Sequence, residues 1–144
     1  MDRQKRLHEI EKRQLTSVMN KTKWEELRRA VANTLLFNVP YQIKYVLENT
    51  PSPKFLSKTA YQSSDWDDGF PYPTASIEWM RILPIVKEAC GYIIEPEIHD
   101  VTDEFHHILR QLKIPFVMEG EIICIFGYVR DTGIFEPEED ETSV

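Results

Sequence analysis

The stretch Asp100–Arg130, DVTDEFHHILRQLKIPFVMEGEIICIFGYVR, decides the fold. Its first half has a helical period. Val101, Phe105, Ile108, Leu109 and Leu112 fall at i, i+4, i+7, i+8 and i+11, which predicts a helix over Asp100 to Lys113. Asp100 or Thr102 suits its N-cap, and Asp103 and Glu104 favour the positive end of its dipole. The second half changes period. Ile114 to Met118 and Glu121 to Arg130 read as two strands, with Glu119-Gly120 supplying the turn of a hairpin. The run Ile122 to Val129 is apolar on both faces, which predicts a central, covered strand. Gly127 inside it marks a bulge or a close helix approach.

Towards the N-terminus, residues 2–19 place Leu7, Ile10, Leu15, Val18 and Met19 on one side of a helix. Asn20 and Thr22 interrupt with capping chemistry. Trp24, Leu27, Val31 and Leu35 then define a second helix, roughly Lys21 to Leu36, closed by Pro40. Tyr41 to Glu48 alternates as a half-buried strand, stopped by Thr50-Pro51-Ser52-Pro53. Phe55 to Tyr61 reads as a short strand, Ser63 to Pro73 as a polar and aromatic loop, and Ala75 to Leu83 as a further strand. Pro84 to Ala89 fits either a helical turn or a loop, and Tyr92 to Ile98 is extended. Short links and hairpins make this an α+β chain. The expectation is two N-terminal helices, an antiparallel or mixed sheet of four to five strands, and one helix before a C-terminal β-hairpin. Residues 1–19 form a helix that could be an extension, 20–135 a single α+β domain, and 136–144 an acidic disordered tail.

The chain has 144 residues, with 24 Asp and Glu against 17 Lys and Arg, a formal charge of −7. With 42% apolar residues it has material for a core, which argues against intrinsic disorder, and two cysteines exclude a disulfide-built mini-protein. The apolar run at Ile122–Val129 falls far short of the roughly 20 residues of a bilayer span. With no apolar h-region after Met1-Asp2-Arg3, the expected location is the cytoplasm. The charge is unevenly spread. Residues 1–29 carry a net +4, residues 30–135 a net −6, and residues 136–144 five acids with no base. Nucleic-acid binding domains are usually basic overall, so this balance argues against nucleic acid as a partner.

Four pieces of the sequence share one pattern. They are Glu11 to Leu27 (EKRQLTSVMNKTKWEEL), Ile77-Glu78-Trp79 with its following basic residue, Asp100 to Phe105, and Ile114-Pro115-Phe116 running to Ile125-Phe126-Gly127-Tyr128. This pattern resembles a family of small bacterial proteins catalogued as a domain of unknown function, over Glu11 to Arg130. The resemblance implies a bacterial, cytoplasmic, single-domain protein and brings no activity, ligand or catalytic residue with it. Small acidic α+β chains of this sort also look like the immunity proteins of bacterial toxin systems, in class and composition rather than in motif.

The candidate partner-binding residues lie in the 63–73 loop. Asp65, Asp67 and Asp68 surround Trp66, and Tyr72 follows. Carboxylates at this spacing could hold a hard cation, but a helix–loop–helix calcium loop counted from Asp65 needs Gly and Glu where Phe70 and Ser76 stand. An aromatic anchor ringed by carboxylates suits a basic protein partner, since charge steers encounter and a buried ring holds it. The bland alternative is a solvated turn with its rings packed on the sheet. Among the histidines, His106 and His107 are neighbours on a helix and point about 100° apart, so they do not ligate one ion together. Cys124 reads as a small core hydrophobe, and Cys90 lies near Glu88, which works against a thiolate. No glycine-rich phosphate loop is present, and no metal or cofactor is expected.

These readings favour a non-catalytic protein-binding module, most sharply a toxin-neutralising immunity protein. The competing expectations are a small hydrolase-type enzyme using His99, His107 and nearby carboxylates, and a regulatory or structural module that dimerises through its N-terminal helix.

Overall fold

The structure is a computed structural model that describes residues 3–35, 38–56, 65–67, 69–88, 95 and 97–135. Among the described residues, three helices, α1 (Arg3–Lys12), α2 (Lys21–Thr34) and α3 (Thr102–Gln111), accompany eight strands. The strands are β1 (Thr16–Ser17), β2 (Tyr41–Tyr45), β3 (Ile77–Ile82), β4 (Ile85–Glu88), β5 (Glu97–Asp100), β6 (Val117–Glu119), β7 (Ile122–Phe126) and β8 (Tyr128–Val129). Every pairing among them is antiparallel. The main sheet has the order β2-β3-β7-β6, and β1-β8 and β4-β5 form two-stranded ribbons. The class is α+β, and α3 precedes a hairpin as the sequence predicts.

Side-chain alternation gives the main sheet two different faces. Tyr41 and Ile43 on β2, Met80 and Ile82 on β3, and Ile123 and Ile125 on β7 stand in register on one face. They share a single core with Trp24, Leu27 and Val31 of α2 and Phe105, Ile108 and Leu109 of α3. The loop before β3 contributes the centre of this core. Trp66 is 1% exposed, and its indole N–H donates to the Val39 carbonyl at 2.9 Å. Its ring meets Tyr41 (5.1 Å), Phe70 (5.5 Å) and Phe105 (5.8 Å) between centroids.

The helix ends show why some boundaries differ from expectation. α2 begins with its predicted cap, the Asn20 side chain accepting from the Lys23 N–H at 2.7 Å. The helix expected over 2–19 stops at Lys12 instead. Gln14 turns left-handed (φ 56), and the Leu15 N–H reaches back to the Ile10 carbonyl at 2.9 Å, a Schellman closure. The chain then pairs as β1, so Leu7 is exposed and α1 buries only Arg6. α3 ends the same way at Lys113 (φ 58), with the Ile114 N–H on the Leu109 carbonyl. At its start, Asp100 accepts from the N–H and hydroxyl of Thr102, while Val101 holds the cap position without a side-chain bond.

Other expectations shift too. Pro84 to Ala89, read as a turn or loop, contains β4, which pairs with β5. Phe55 and Leu56 carry no strand, and an isolated bridge joins Ile43 to Ser52. The remainder of the expected 55–61 strand lies outside the described residues, as do Cys90 and the acidic stretch 136–144. The hairpin turn falls at Gly120-Glu121, with Gly120 at φ 62. The strand expected over 122–129 breaks at Gly127, whose N–H donates to the Glu78 carbonyl at 2.8 Å while its own carbonyl accepts from Val18. A Cβ here would lie 2.1 Å from the Ile77 carbonyl oxygen. The close approach is therefore to strand β3, not to a helix.

Two stability effects follow from these contacts. Gly127→Ala is expected to cost about 3 kcal/mol, because backbone rather than a mobile side chain blocks the methyl. Lys113→Gly is expected to stabilise by about 1 kcal/mol, because it relieves a left-handed side-chain residue at a helix end. Urea unfolding midpoints of both variants against wild type check the opposite signs.

Candidate functional site

The second face of the main sheet points away from α2 and α3. It carries Gln42 and Lys44 on β2, Trp79 and Arg81 on β3, Cys124 and Phe126 on β7, and Val117 and Glu119 on β6. The apolar run at β7 predicted cover on both faces, but here the strand borders an open concavity of about 320 Å³ lined by Trp79, Arg81, Glu119, Cys124 and Phe126. A second concavity of about 290 Å³ shares Trp79 and Phe126 and continues past Leu15, Tyr128 and Ile134.

A network of charged groups orders this face. Register shifts between Lys44 and Tyr45, which makes Glu78 the additional residue on β3. Its carboxylate takes a bidentate pair from Arg13 (3.1 and 2.6 Å) and a third bond from Lys44 (2.6 Å). Burial pushes the Glu78 pKa up, but these hydrogen bonds and the two positive charges outweigh it and hold the group below its usual value. Arg81 donates to Glu119 at 2.9 Å and to Gln42 at 3.4 Å, while its Nε is buried without an acceptor among the described residues. Gln42 is itself fixed by the carbonyls of Pro53 and Lys54, each at 3.0 Å. Burial, with the Glu119 charge, lifts the Cys124 thiol to about 11 against the opposing influence of Arg81, so it stays protonated at neutral pH.

The residues singled out in the 63–73 loop separate by role. Trp66 belongs to the core and presents no ring to a partner. Asp65 caps its own loop, accepting from the N–H groups of Asp67 (2.7 Å) and Gly69 (2.9 Å). Asp67 is paired with Arg28 at 3.2 Å yet is 76% exposed. Asp68 lies outside the described residues. Tyr72 is 85% exposed. It stands on the rim of an apolar concavity of about 210 Å³ with Lys21, Glu25, Pro73, Thr74 and Ala75. The Arg28 hydrogen bond holds the Glu25 pKa low, and Arg29 adds to it at 3.1 Å. Asp67 and its neighbour Glu25 thus have arginine partners within the chain, which sequence spacing could not reveal.

The histidines do not converge in the described geometry. His99 on β5 lies 3.4 Å from Glu97, His107 is exposed on α3, and neither lines a concavity described above. His106 Nε2 sits 3.2 Å from the Met118 sulfur with its ring over Phe116, and burial with the Arg110 charge lowers its pKa. Among the described residues no group of three or more His, Cys, Asp or Glu side chains could hold a metal ion, and no helix is long and apolar enough to cross a membrane. The Trp79–Arg81–Glu119–Phe126 cluster was not among the candidates from sequence. Its signal was the polar Glu78 and Arg81 inside an otherwise apolar strand.

Comparison with known proteins gives one match. Residues 6–132 match a model described as a family of unknown function, DUF6678. No curated protein and no solved structure matches the chain.

Because the Glu78 pKa is depressed in the folded state, its contribution is complete above the unfolded carboxylate range and is lost as pH falls through the folded value. Glu78→Gln is expected to destabilise by about 2 kcal/mol at pH 7. The gap to wild type should close as pH drops from about 5 towards 2, read from urea midpoints across that range.

Proposed function

We propose that this chain, which belongs to the family of unknown function DUF6678, is a non-catalytic protein-binding module of the cytoplasm that recognises a partner through the surface around Tyr72. The observation that carries the reading is the 85% exposure of Tyr72 at the mouth of an apolar concavity. Tyrosine supplies a large contact area with little rotamer entropy to lose, and it is enriched at interface hot spots. Its loop is held from below, because Trp66 is locked in the core and Asp65 closes the turn through Gly69. A Cβ on Gly69 would come within 2.5 Å of the Asp65 carboxylate, so a larger residue there would have to displace the side chain that accepts the Gly69 N–H. A platform that is already ordered loses little entropy on binding.

The chemistry favours a basic partner. Asp67 faces water, Glu25 is kept ionised, and the chain carries −7 overall. Because Arg28 and Arg29 already neutralise part of the local charge, steering comes mainly from the long-range field and holding comes from the ring. The sharpest form of this reading is an immunity protein that occludes the basic cleft of a toxin encoded beside it.

The test is calorimetry and stopped-flow binding with the purified product of the adjoining reading frame. Wild type should form a complex whose association slows as salt rises. Tyr72→Ala should dissociate at least about tenfold faster with its unfolding midpoint unchanged. Absence of a complex, or a complex indifferent to Tyr72→Ala, overturns the assignment.

A further inference from the structure

We propose that the concavity on the open sheet face is a binding site for a small planar ring with an N–H beside a carbonyl, the lactam edge found on uracil and guanine bases. This site is separate from the Tyr72 surface and does not depend on it. The concavity, at about 320 Å³, lies at the low end of ligand pockets and fits one mono- or bicyclic ring rather than a polymer segment.

Two features define the ligand chemistry. The first is the aromatic wall. Trp79 and Phe126 are directly opposed on β3 and β7, and both are partly exposed, whereas Trp24 and Trp66 are consumed by the core. Such faces take planar rings by offset or edge contact. The second is the polar end, where the Arg81 guanidinium and the Glu119 carboxylate stand 2.9 Å apart. A donor and an acceptor side by side complement a carbonyl and an N–H side by side. A carboxylate ligand would meet Glu119 as a like charge, and an ammonium would meet Arg81. A neutral edge with both functions satisfies the pair. The guanidinium is oriented in advance by Gln42, and Gln42 by two backbone carbonyls, so little ordering remains to be done on binding. The protonated Cys124 thiol adds no charge at the floor. A volume of about 320 Å³ holds one ring, and the chain's net charge of −7 works against a polyanion at long range although the face itself carries Arg13, Lys44 and Arg81 against Glu78 and Glu119, which points to a free base or nucleoside rather than to a strand of nucleic acid.

The experiment titrates the full chain with uridine, guanosine, adenosine and benzoate, read by calorimetry and by the NMR shift of the Trp79 indole N–H. Uridine or guanosine should bind saturably. Adenosine, which lacks the lactam, and benzoate, which is anionic, should each bind at least about tenfold more weakly. Arg81→Gln and Trp79→Leu should each weaken binding about tenfold or more, and Tyr72→Ala should leave it unchanged. Glu119→Ala serves as a second variant should Arg81→Gln fail to fold, because Glu119 is solvent-facing. No saturable binding of uridine or guanosine up to about 10 mM overturns the proposal. So does equal affinity for adenosine, wild-type binding by Arg81→Gln, or much tighter binding of an oligouridylate than of uridine.

Discussion

The indole of Trp66 is the contact on which the rest of the structure depends. It comes from a loop, yet it touches the sheet through Tyr41, the C-terminal helix through Phe105, and the segment before β2 through the Val39 carbonyl. Without it, α2 and α3 would close over a void between themselves and β2. Two other polar groups fix the loop's seat. The Tyr41 hydroxyl donates to the Asp65 carbonyl at 2.6 Å, and burial raises that phenol's pKa, so it remains a donor. Arg28 donates to the Trp66 carbonyl at 3.3 Å and to Asp67. A loop that would otherwise lose much entropy on ordering is thus held by one large apolar burial and a few directed bonds.

This explains why the sequence could read the frame better than the surface. Periodicity reports burial on regular elements, so α2, α3 and the β6–β7 hairpin were legible. Trp66 sits in no periodic element, and the acids around it made it look like part of an exposed anchor. The helix ends at Gln14 and Lys113 were hidden for another reason. Left-handed closure is usually signalled by glycine, and here two long polar residues adopt it. The open sheet face was hidden because alternation shows which side chains share a face, not whether a second layer lies over that face. The broken pattern at Glu78 and Arg81 was visible, but its meaning depends on Arg13 and Lys44, which lie 65 and 34 positions from Glu78.

Charge acts at two ranges in this molecule. At short range, Glu78, Glu119, Glu25 and Asp67 each have a basic partner within 4 Å, so each of these acids is compensated by an opposite charge. At long range the surplus of acids over bases sets the field, and five of those acids lie in residues 136–144. The acids beside the concavities are therefore neutralised locally, while the long-range field follows from the surplus of the whole chain.

Gly127 joins two sheets through one residue. Its N–H holds to β3 beside Trp79, and its carbonyl holds the strand that follows α1. Strain applied to the N-terminal segment therefore has a short covalent and hydrogen-bonded path to the Trp79–Phe126 pair, through Val18, Gly127 and Glu78. The Arg13–Glu78 pair runs alongside that path and stiffens it. In mechanical terms the residue is a rivet with no slack, since even a methyl group would collide with the Ile77 carbonyl of β3.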